Sequence, residues 1–329
     1  MNCVHQPLMR HRFANTMSPS GISLTSPFPV KDFLTPRYWS TWIGLGILRG
    51  IAQLPYYWQS HIGKFIGRVL YLVSQRRRHI AEVNLRLCFP ELDAQQRLLL
   101  LKKHFASLGM SLVETAMSWW TPDARMRKLA QVEGLEHIEQ ALRHGKGVIL
   151  LSAHFTNLEI GTHLLAMHTR FHAMYRAHKN PLFDTVMKRA REARCEKAIP
   201  SDDVRGMLNS LKQNIPVWYA SDQNYGLKHS VFVPFFGIMA ATNPAPLRLA
   251  RLSGAPIIPF MIQRRDDRHD YLLTLLPALG GIPSNDVYQD LLHVSQLIEA
   301  QVRKAPEQYL WVHRRFKDRP PGEANFYKS

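Results

Sequence analysis

Two side chains near the middle of this 329-residue chain have the types and spacing for proton-transfer chemistry. They are His154 and Glu159, in Ala153-His-Phe-Thr-Asn-Leu-Glu-Ile-Gly161. The apolar run at residues 148–151 reads as a buried strand, and a helical pattern begins near Asn157. His154 therefore sits on a strand-to-helix turn, with Glu159 about one turn into the helix. On one continuous helix the two would lie about 140° apart and would not share a face. With His154 still on the turn, Glu159 can fold back and bond one ring nitrogen, leaving the other as a base for a hydroxyl. The spacing is not that of the zinc helix His-Glu-x-x-His, and no second histidine falls at the matching offset. Taken alone, the pair also fits a partly buried histidine satisfied by a nearby acid.

Other candidates lie at the ends of short apolar runs. Arg176 follows the run 172–175 and precedes Asn180-Pro181. Asp222 ends the run 217–220, at a sheet edge of the kind where active sites of open α/β folds gather. By themselves they read equally as a loop arginine and a turn-capping aspartate. Val231-Phe-Val-Pro-Phe-Phe-Gly237 is either plain core or the wall of a hydrocarbon channel, and its proline is expected to stop a central strand.

The company these residues keep carries a resemblance. The blocks are Thr35-Pro-Arg-Tyr-Trp-Ser-Thr-Trp42, Asn84-Leu-Arg-Leu-Cys-Phe-Pro-Glu91, the His154 segment, Tyr175-Arg176 with Asn180-Pro-Leu182, and Val217-Trp-Tyr-Ala-Ser-Asp222. Val231-Phe-Val-Pro-Phe-Phe236, Ala305-Pro-Glu-Gln-Tyr-Leu-Trp311 and His313-Arg-Arg-Phe-Lys317 follow. In this order, from 35 to 317, the chain resembles the late acyltransferases of lipid A biosynthesis, the lauroyl/palmitoleoyl branch of the lysophospholipid acyltransferase superfamily. The resemblance implies a catalytic His154–Glu159 pair. It also implies that Arg176 binds a phosphorylated acceptor or supports an oxyanion, with Asp222 in a similar substrate-binding role. Family members often carry Asp-His-Asp where this chain has Asp222-Gln223-Asn224, so the second acid is missing. After Thr242, Asn243-Pro-Ala-Pro246 replaces the family's small and hydroxylated residues, making a stiffer turn.

Composition points the same way. The 42 Lys+Arg against 25 Asp+Glu leave a net charge of +17, which calls for an anionic partner. No helix-turn-helix, zinc-finger or aromatic-sheet signature accompanies the charge, so nucleic acid is not expected. A membrane surface or an acidic protein fits better. Cys3, Cys88 and Cys195 are odd in number and far apart, against a disulfide framework or metal site. Cys88 reads as a small core residue. No metal and no cofactor are expected. The basic clusters 76–78, 188–191 and 313–317 read as solvated faces, or as docking patches for an acidic acyl carrier protein and a phosphorylated acceptor.

Along the chain, residues 1–30 read as a disordered extension, rich in Ser, Thr, Pro and basic residues, without the apolar core of a signal peptide. Residues 31–120 read as a membrane-anchoring, helical region. Within it, residues 38–54 form the most apolar stretch, flanked by Trp39, Trp42, Tyr56, Tyr57 and Trp58 and ended by Pro55. A marginal span, an in-plane anchor and a hydrophobic helix hairpin all fit, and an integral anchor is favoured. The arginines that follow place the rest of the chain in the cytoplasm by the positive-inside rule. Residues 79–120 read as helices split at Phe89-Pro90. Residues 121–329 read as an α/β acyltransferase domain, with strands at 148–151, 172–175, 217–220, 230–233, 256–262 and 271–275. Helices are expected at 135–144, 157–167, 182–193, 204–213, 246–252 and 287–304. That alternation predicts a mostly parallel, mixed sheet flanked by helices, with a helical, membrane-associated N-terminal region.

The expected function is transfer of a fatty acyl chain from acyl carrier protein to a hydroxyacyl chain of the Kdo-bearing precursor lipid IVA, at the cytoplasmic face of the cell inner membrane. One alternative is acylation of a lysophospholipid or ornithine lipid. Another is a non-enzymatic, basic, membrane-surface binding protein.

Overall fold

The computed structural model describes residues 28–327, so most of the segment expected to be disordered lies outside the described residues. The chain first builds a helical layer: α1 (Trp39–Gln53), α2 (Tyr56–Val73), α3 (Gln75–Cys88) and α4 (Ala94–Trp120). Pro55 separates α1 from α2 because it holds Leu54 in an extended conformation. A capping box starts α4, with Asp93 Oδ1 accepting from Gln96 N–H at 2.8 Å and Gln96 Oε1 accepting from Asp93 N–H at 2.9 Å. α2 and α4 touch backbone to backbone. A Cβ on Gly67 would stand 2.3 Å from the Phe105 carbonyl oxygen, and one on Gly109 would stand 2.0 Å from that of Gly63. Only glycine allows that approach.

Then come α5 (Asp123–Met126), β1 (Ala130–Glu133), α6 (Leu135–Leu142), β2 (Ile149–Ser152), α7 (Leu158–Ala166), β3 (His172–Tyr175) and α8 (Pro181–Cys195). The order continues with β4 (Lys197–Pro200), α9 (Val204–Lys212), β5 (Val217–Ala220), β6 (Val231–Phe235), β7 (Ile238–Thr242), α10 (Ala245–Ser253), β8 (Ile257–Arg265), β9 (Asp270–Leu275) and α11 (Val287–Lys304). Seven strands form one sheet in the order β1-β9-β8-β2-β5-β3-β4. Every neighbouring pair in it is parallel except β8–β9. The mixed, mostly parallel sheet expected from the alternation is therefore present.

β2 is buried along its whole length. Ile149 and Leu151 face one apolar core, while Val148 and Leu150 face the other, so the sheet is covered on both sides. Cys88 lies in the first of these cores.

Two expectations fail. Pro234 does not stop its strand: β6 runs through it and pairs antiparallel with β7 in a separate two-stranded ribbon. A two-stranded ribbon tolerates a missing N–H that a central strand would not. Of the three readings of residues 38–54, the marginal span also fails. Among the described residues no helix is long and apolar enough to cross a membrane. α1 has 15 residues, so it is about 22 Å long against a hydrocarbon thickness of about 30 Å.

Candidate active site

β2 and β5 are adjacent and parallel, with Ser152 opposite Ala220. His154 and Asp222 each lie two residues past that pair, so both chains leave the carboxyl edge of the sheet side by side. Asp222 Oδ1 accepts from the His154 backbone N–H at 2.9 Å and bonds ring Nδ1 at 2.7 Å. The carboxylate is almost fully buried, whereas the imidazole is 30% exposed. Burial alone would raise the Asp222 carboxyl. His154, the hydroxyl of Tyr309 and the Arg315 guanidinium outweigh it and bring it down to about 2. With Asp222 ionised, Nδ1 is the donor and Nε2 the free base.

This corrects the expected pairing. Glu159, in the first turn of α7, faces α4 and α8 rather than the imidazole. Its Oε1 accepts from Trp119 Nε1 at 3.1 Å and from Arg191 Nε at 3.0 Å, and its Oε2 from Arg191 Nη2 at 2.6 Å. A guanidinium fork and an indole offer this carboxylate more than one ring nitrogen can. Burial pushes its pKa up, but Arg191 and the Trp119 bond pull it down further, so Glu159 is ionised.

Asp222 was expected to bind substrate; its carboxylate is bonded to the backbone and ring of His154. Arg176 lies beyond β3 on the same sheet edge and is exposed. Asn224, standing where the family often has an acid, takes a connecting role. Its Nδ2 donates to Asp318 Oδ2 at 2.7 Å, its Oδ1 accepts from the Asp318 N–H at 3.2 Å, and its own N–H donates to His313 Nε2 at 3.1 Å. Accepting that bond requires a neutral His313, and burial holds its pKa down at about 4.

Of the basic runs, 188–191 and 313–317 are more than solvated faces. Arg191 belongs to the site, and Arg315 is buried, donating to the Ala241 carbonyl at 2.7 Å and to Thr242 Oγ1 at 2.8 Å. The 243–246 turn caps a helix: Asn243 Oδ1 accepts from the Ala245 N–H at 2.9 Å, and Pro246 sits in the first turn of α10, where its missing N–H costs nothing. Val233, Phe235 and Phe236 belong to the core.

Behind the turn that carries His154 lies a buried polar network. Arg264 Nη1 donates to Glu114 Oε1 at 2.7 Å and Nη2 to Ser107 Oγ at 2.6 Å, while Ser107 bonds Thr156 at 2.7 Å. Tyr271 donates to the same Glu114 oxygen at 2.8 Å. Trp119 and Arg191, bonded to Glu159, and His313, bonded to Asn224, thus surround the candidate residues, and the sequence did not single them out.

The protein-family model "Bacterial lipid A biosynthesis acyltransferase" matches residues 29–318. The chain is 41% identical over 298 residues to the lipid A biosynthesis palmitoleoyltransferase of Escherichia coli K12, covering 90% of this chain and 97% of that protein. It is 39% identical over 295 residues to the lauroyltransferase of the same organism, covering 89% and 96%. A lipid A biosynthesis acyltransferase of Haemophilus influenzae is 34% identical over 292 residues, covering 88% and 93%. Matches of this extent, around a base held at a sheet edge, show that the chain belongs to the bacterial lipid A biosynthesis acyltransferase family.

Proposed function

We propose that the chain moves a fatty acyl group from the thioester of an acyl carrier protein to the hydroxyl of a hydroxyacyl chain on the Kdo-bearing precursor lipid IVA. The observation that carries this reading is the His154–Asp222 pair: Nδ1 is engaged by the carboxylate, which leaves Nε2 as the base on a ring that is 30% exposed. Nε2 takes the hydroxyl proton as the oxygen attacks the thioester carbonyl, and Asp222 stabilises the imidazolium. The carbon–sulfur bond then breaks, the proton passes from Nε2 to the departing sulfur, and an ester remains. The nucleophile belongs to the acceptor, so no acyl-enzyme is required. Arg176 is assigned to binding the acceptor's anionic groups, as an exposed guanidinium on the same sheet edge suits. Glu159 serves from one step away, locking α7 to α4 and α8 through Trp119 and Arg191.

Two further features support a lipid substrate at a membrane surface. Trp39, Ile43 and Ile47 of α1, at four-residue steps, are exposed, as are Trp58, Phe65, Val69 and Leu72 of α2. Such faces suit helices lying in the plane of the interface, on the cytoplasmic side of the inner membrane. A groove of about 510 Å³, whose lining includes the apolar Trp42, Leu45, Trp119, Trp120 and Val186 together with Arg49 and Arg189, suits a hydrocarbon chain that carries an anionic group. The net charge of +17 suits an acidic carrier protein.

The test is an assay with labelled acyl carrier protein donors and three acceptors: the lipid A precursor, a lysophospholipid and an ornithine lipid. Product from the lipid A precursor, lost in His154→Ala and declining as salt rises, is expected. Transfer to the smaller lipids alone, or a preference for coenzyme A thioesters, rejects the reading.

A further inference from the structure

β2 pairs with β8 only as far as Leu151 opposite Pro259, and after Ser152 it leaves the sheet toward His154. β8 runs on to Arg265, with β9 along its other edge. The edge of β8 that faced β2 has then lost that neighbour, and its backbone groups need other partners. At Arg264 a single side chain supplies them. Gln308 Oε1 accepts from the Arg264 N–H at 2.9 Å, and Gln308 Nε2 donates to the Arg264 carbonyl at 2.8 Å. The amide takes the two groups that a longer β2 would have taken.

The same residue also holds the turn that follows β2. Its Oε1 accepts from Asn157 Nδ2 at 2.8 Å, and its backbone carbonyl accepts from the Thr156 N–H at 2.7 Å. Two residues on, the Leu310 N–H donates to the His154 carbonyl at 3.0 Å, and Phe155 and Tyr309 face each other as an isolated antiparallel bridge. Gln308 is almost fully buried. Its short 3-10 turn, Pro306–Gln308, is tied to α4 by His104 Nδ1, 3.0 Å from the Glu307 carbonyl. With the Arg264 N–H and carbonyl both engaged, the amide has one orientation: flipped, it would set oxygen against a carbonyl and NH₂ against an N–H.

Asn157 gives a second, independent sign. It occupies the N-cap position of α7, where an Asn side chain ordinarily accepts from the first turn, yet it makes no cap bond. Its NH₂ goes to Gln308 instead, and its Oδ1 is buried without a partner. The helix start forgoes its cap, at a cost to stability, for a bond that fixes the turn carrying His154.

We propose that Gln308 is a positioning residue for acyl transfer: by bridging the edge of β8 to Asn157 it fixes the turn 153–157, and through that turn the placing of the His154 ring against Asp222. The proposal rests on His154 acting as the base. His154 offers Asp222 Oδ1 both its backbone N–H and its ring Nδ1, so a shift of the turn moves both bonds together. A displaced ring no longer presents Nε2 in one direction, and the chemical step suffers more than substrate binding.

Gln308→Met in the full-length protein keeps the length of the side chain and removes its hydrogen bonds. It is expected to lower kcat at least about tenfold, with KM within about twofold. Histidine ¹⁵N chemical shifts, with His154 assigned by His154→Ala, require no turnover and are expected to pass from one defined ring state to an averaged one. Asn157→Ala cuts the same link from the turn side and disturbs no cap bond. It should lower kcat and alter the His154 signals in the same way, and the double variant should fall short of the summed losses.

Ser295→Ala is the control for lost stability. It removes a bond of 2.6 Å to the Pro234 carbonyl, between α11 and β6, so it should lower the urea midpoint and leave kcat and the His154 signals as they are. Rates are compared per folded molecule, with sucrose added to favour the folded state. Should Gln308→Met fail to fold, Asn157→Ala decides alone. A native kcat or native His154 signals in the folded variants, or a loss of kcat that sucrose restores, overturns the proposal. A His154→Ala enzyme with full kcat would reject the base itself, whereas the ring signals would still report whether Gln308 holds the turn.

Discussion

Asp222 Oδ1 holds both the backbone N–H and ring Nδ1 of His154, at 2.9 and 2.7 Å, so one oxygen sets the residue's position and its ring orientation together. Removing the base and removing its holder should therefore cost similar amounts. His154→Ala is expected to lower kcat at least about 100-fold, and Asp222→Asn by a comparable factor, because an amide neither stabilises the imidazolium nor selects the tautomer. Steady-state kinetics on folded variants checks this. An Asp222→Asn enzyme with near-native kcat rules out the pairing.

Glu159 and Arg191 should fail as a unit. Glu159→Gln leaves a largely buried guanidinium without its charge partner, at a cost of about 3 kcal/mol in stability. Activity should fall at least about tenfold, because α7 begins four residues past His154. Arg191→Ala is expected to behave alike. Chemical denaturation beside kinetics separates the causes: a Glu159→Gln enzyme with native stability and no activity would assign Glu159 directly to the reacting groups.

Three histidines, His104 and His163 buried and His313 partly buried, predict a slope of stability with pH. Burial holds His104, His163 and His313 at about 4, below the unfolded value of 6.5, with Arg194 adding to the effect at His163. The unfolded chain takes up these protons first. Their contribution is intact above pH 6.5 and lost as pH falls toward 4, at about 1.4 kcal/mol per pH unit for each histidine. Urea midpoints between pH 8 and pH 4.5 measure this. A midpoint constant from pH 6.5 to 5 is incompatible with it, and His104→Gln should flatten the slope.

Glycines of the helical layer should respond in opposite directions. Gly109→Val drives a side chain into the backbone of Gly63 and Gly67 and should destabilise by about 3 kcal/mol or more. Gly46→Ala meets nothing within 4 Å in the middle of α1 and should stabilise by about 0.5–1 kcal/mol. Thermal or urea unfolding of the two variants decides.

For the membrane, Ile43→Glu with Ile47→Glu should weaken binding to anionic vesicles at least about tenfold while leaving the sheet intact. Flotation with separate carbonate and high-salt washes is the measurement. Equal retention of wild type and variant would place the contact elsewhere.

Where a signal is local, the sequence carries it. α11 has the bounds its long amphipathic pattern dictates, as do β3 and β5. β1, with the residues Ala-Gln-Val-Glu, and β4, with Lys-Ala-Ile-Pro, lack such a signal because they are short outermost strands of the sheet. His154 stood out through its turn and neighbours. Asp222 stood out too, at the end of its strand, but not as the partner of His154, because the bond depends on β5 inserting beside β2, and strand order is a property of the whole sheet. Arg191 and Arg315 were hidden for another reason: both sit in basic runs, and composition does not distinguish a solvated cation from one folded inward onto Glu159 or Thr242.

The segment 308–318 also comes last in time. It leaves the ribosome after both strands whose ends it bonds, so a nascent chain can contain His154 and Asp222 while still lacking the residues that bond the His154 turn and Asn224. The bonds between this segment and the two strand ends are therefore among the last tertiary contacts the chain can make during synthesis.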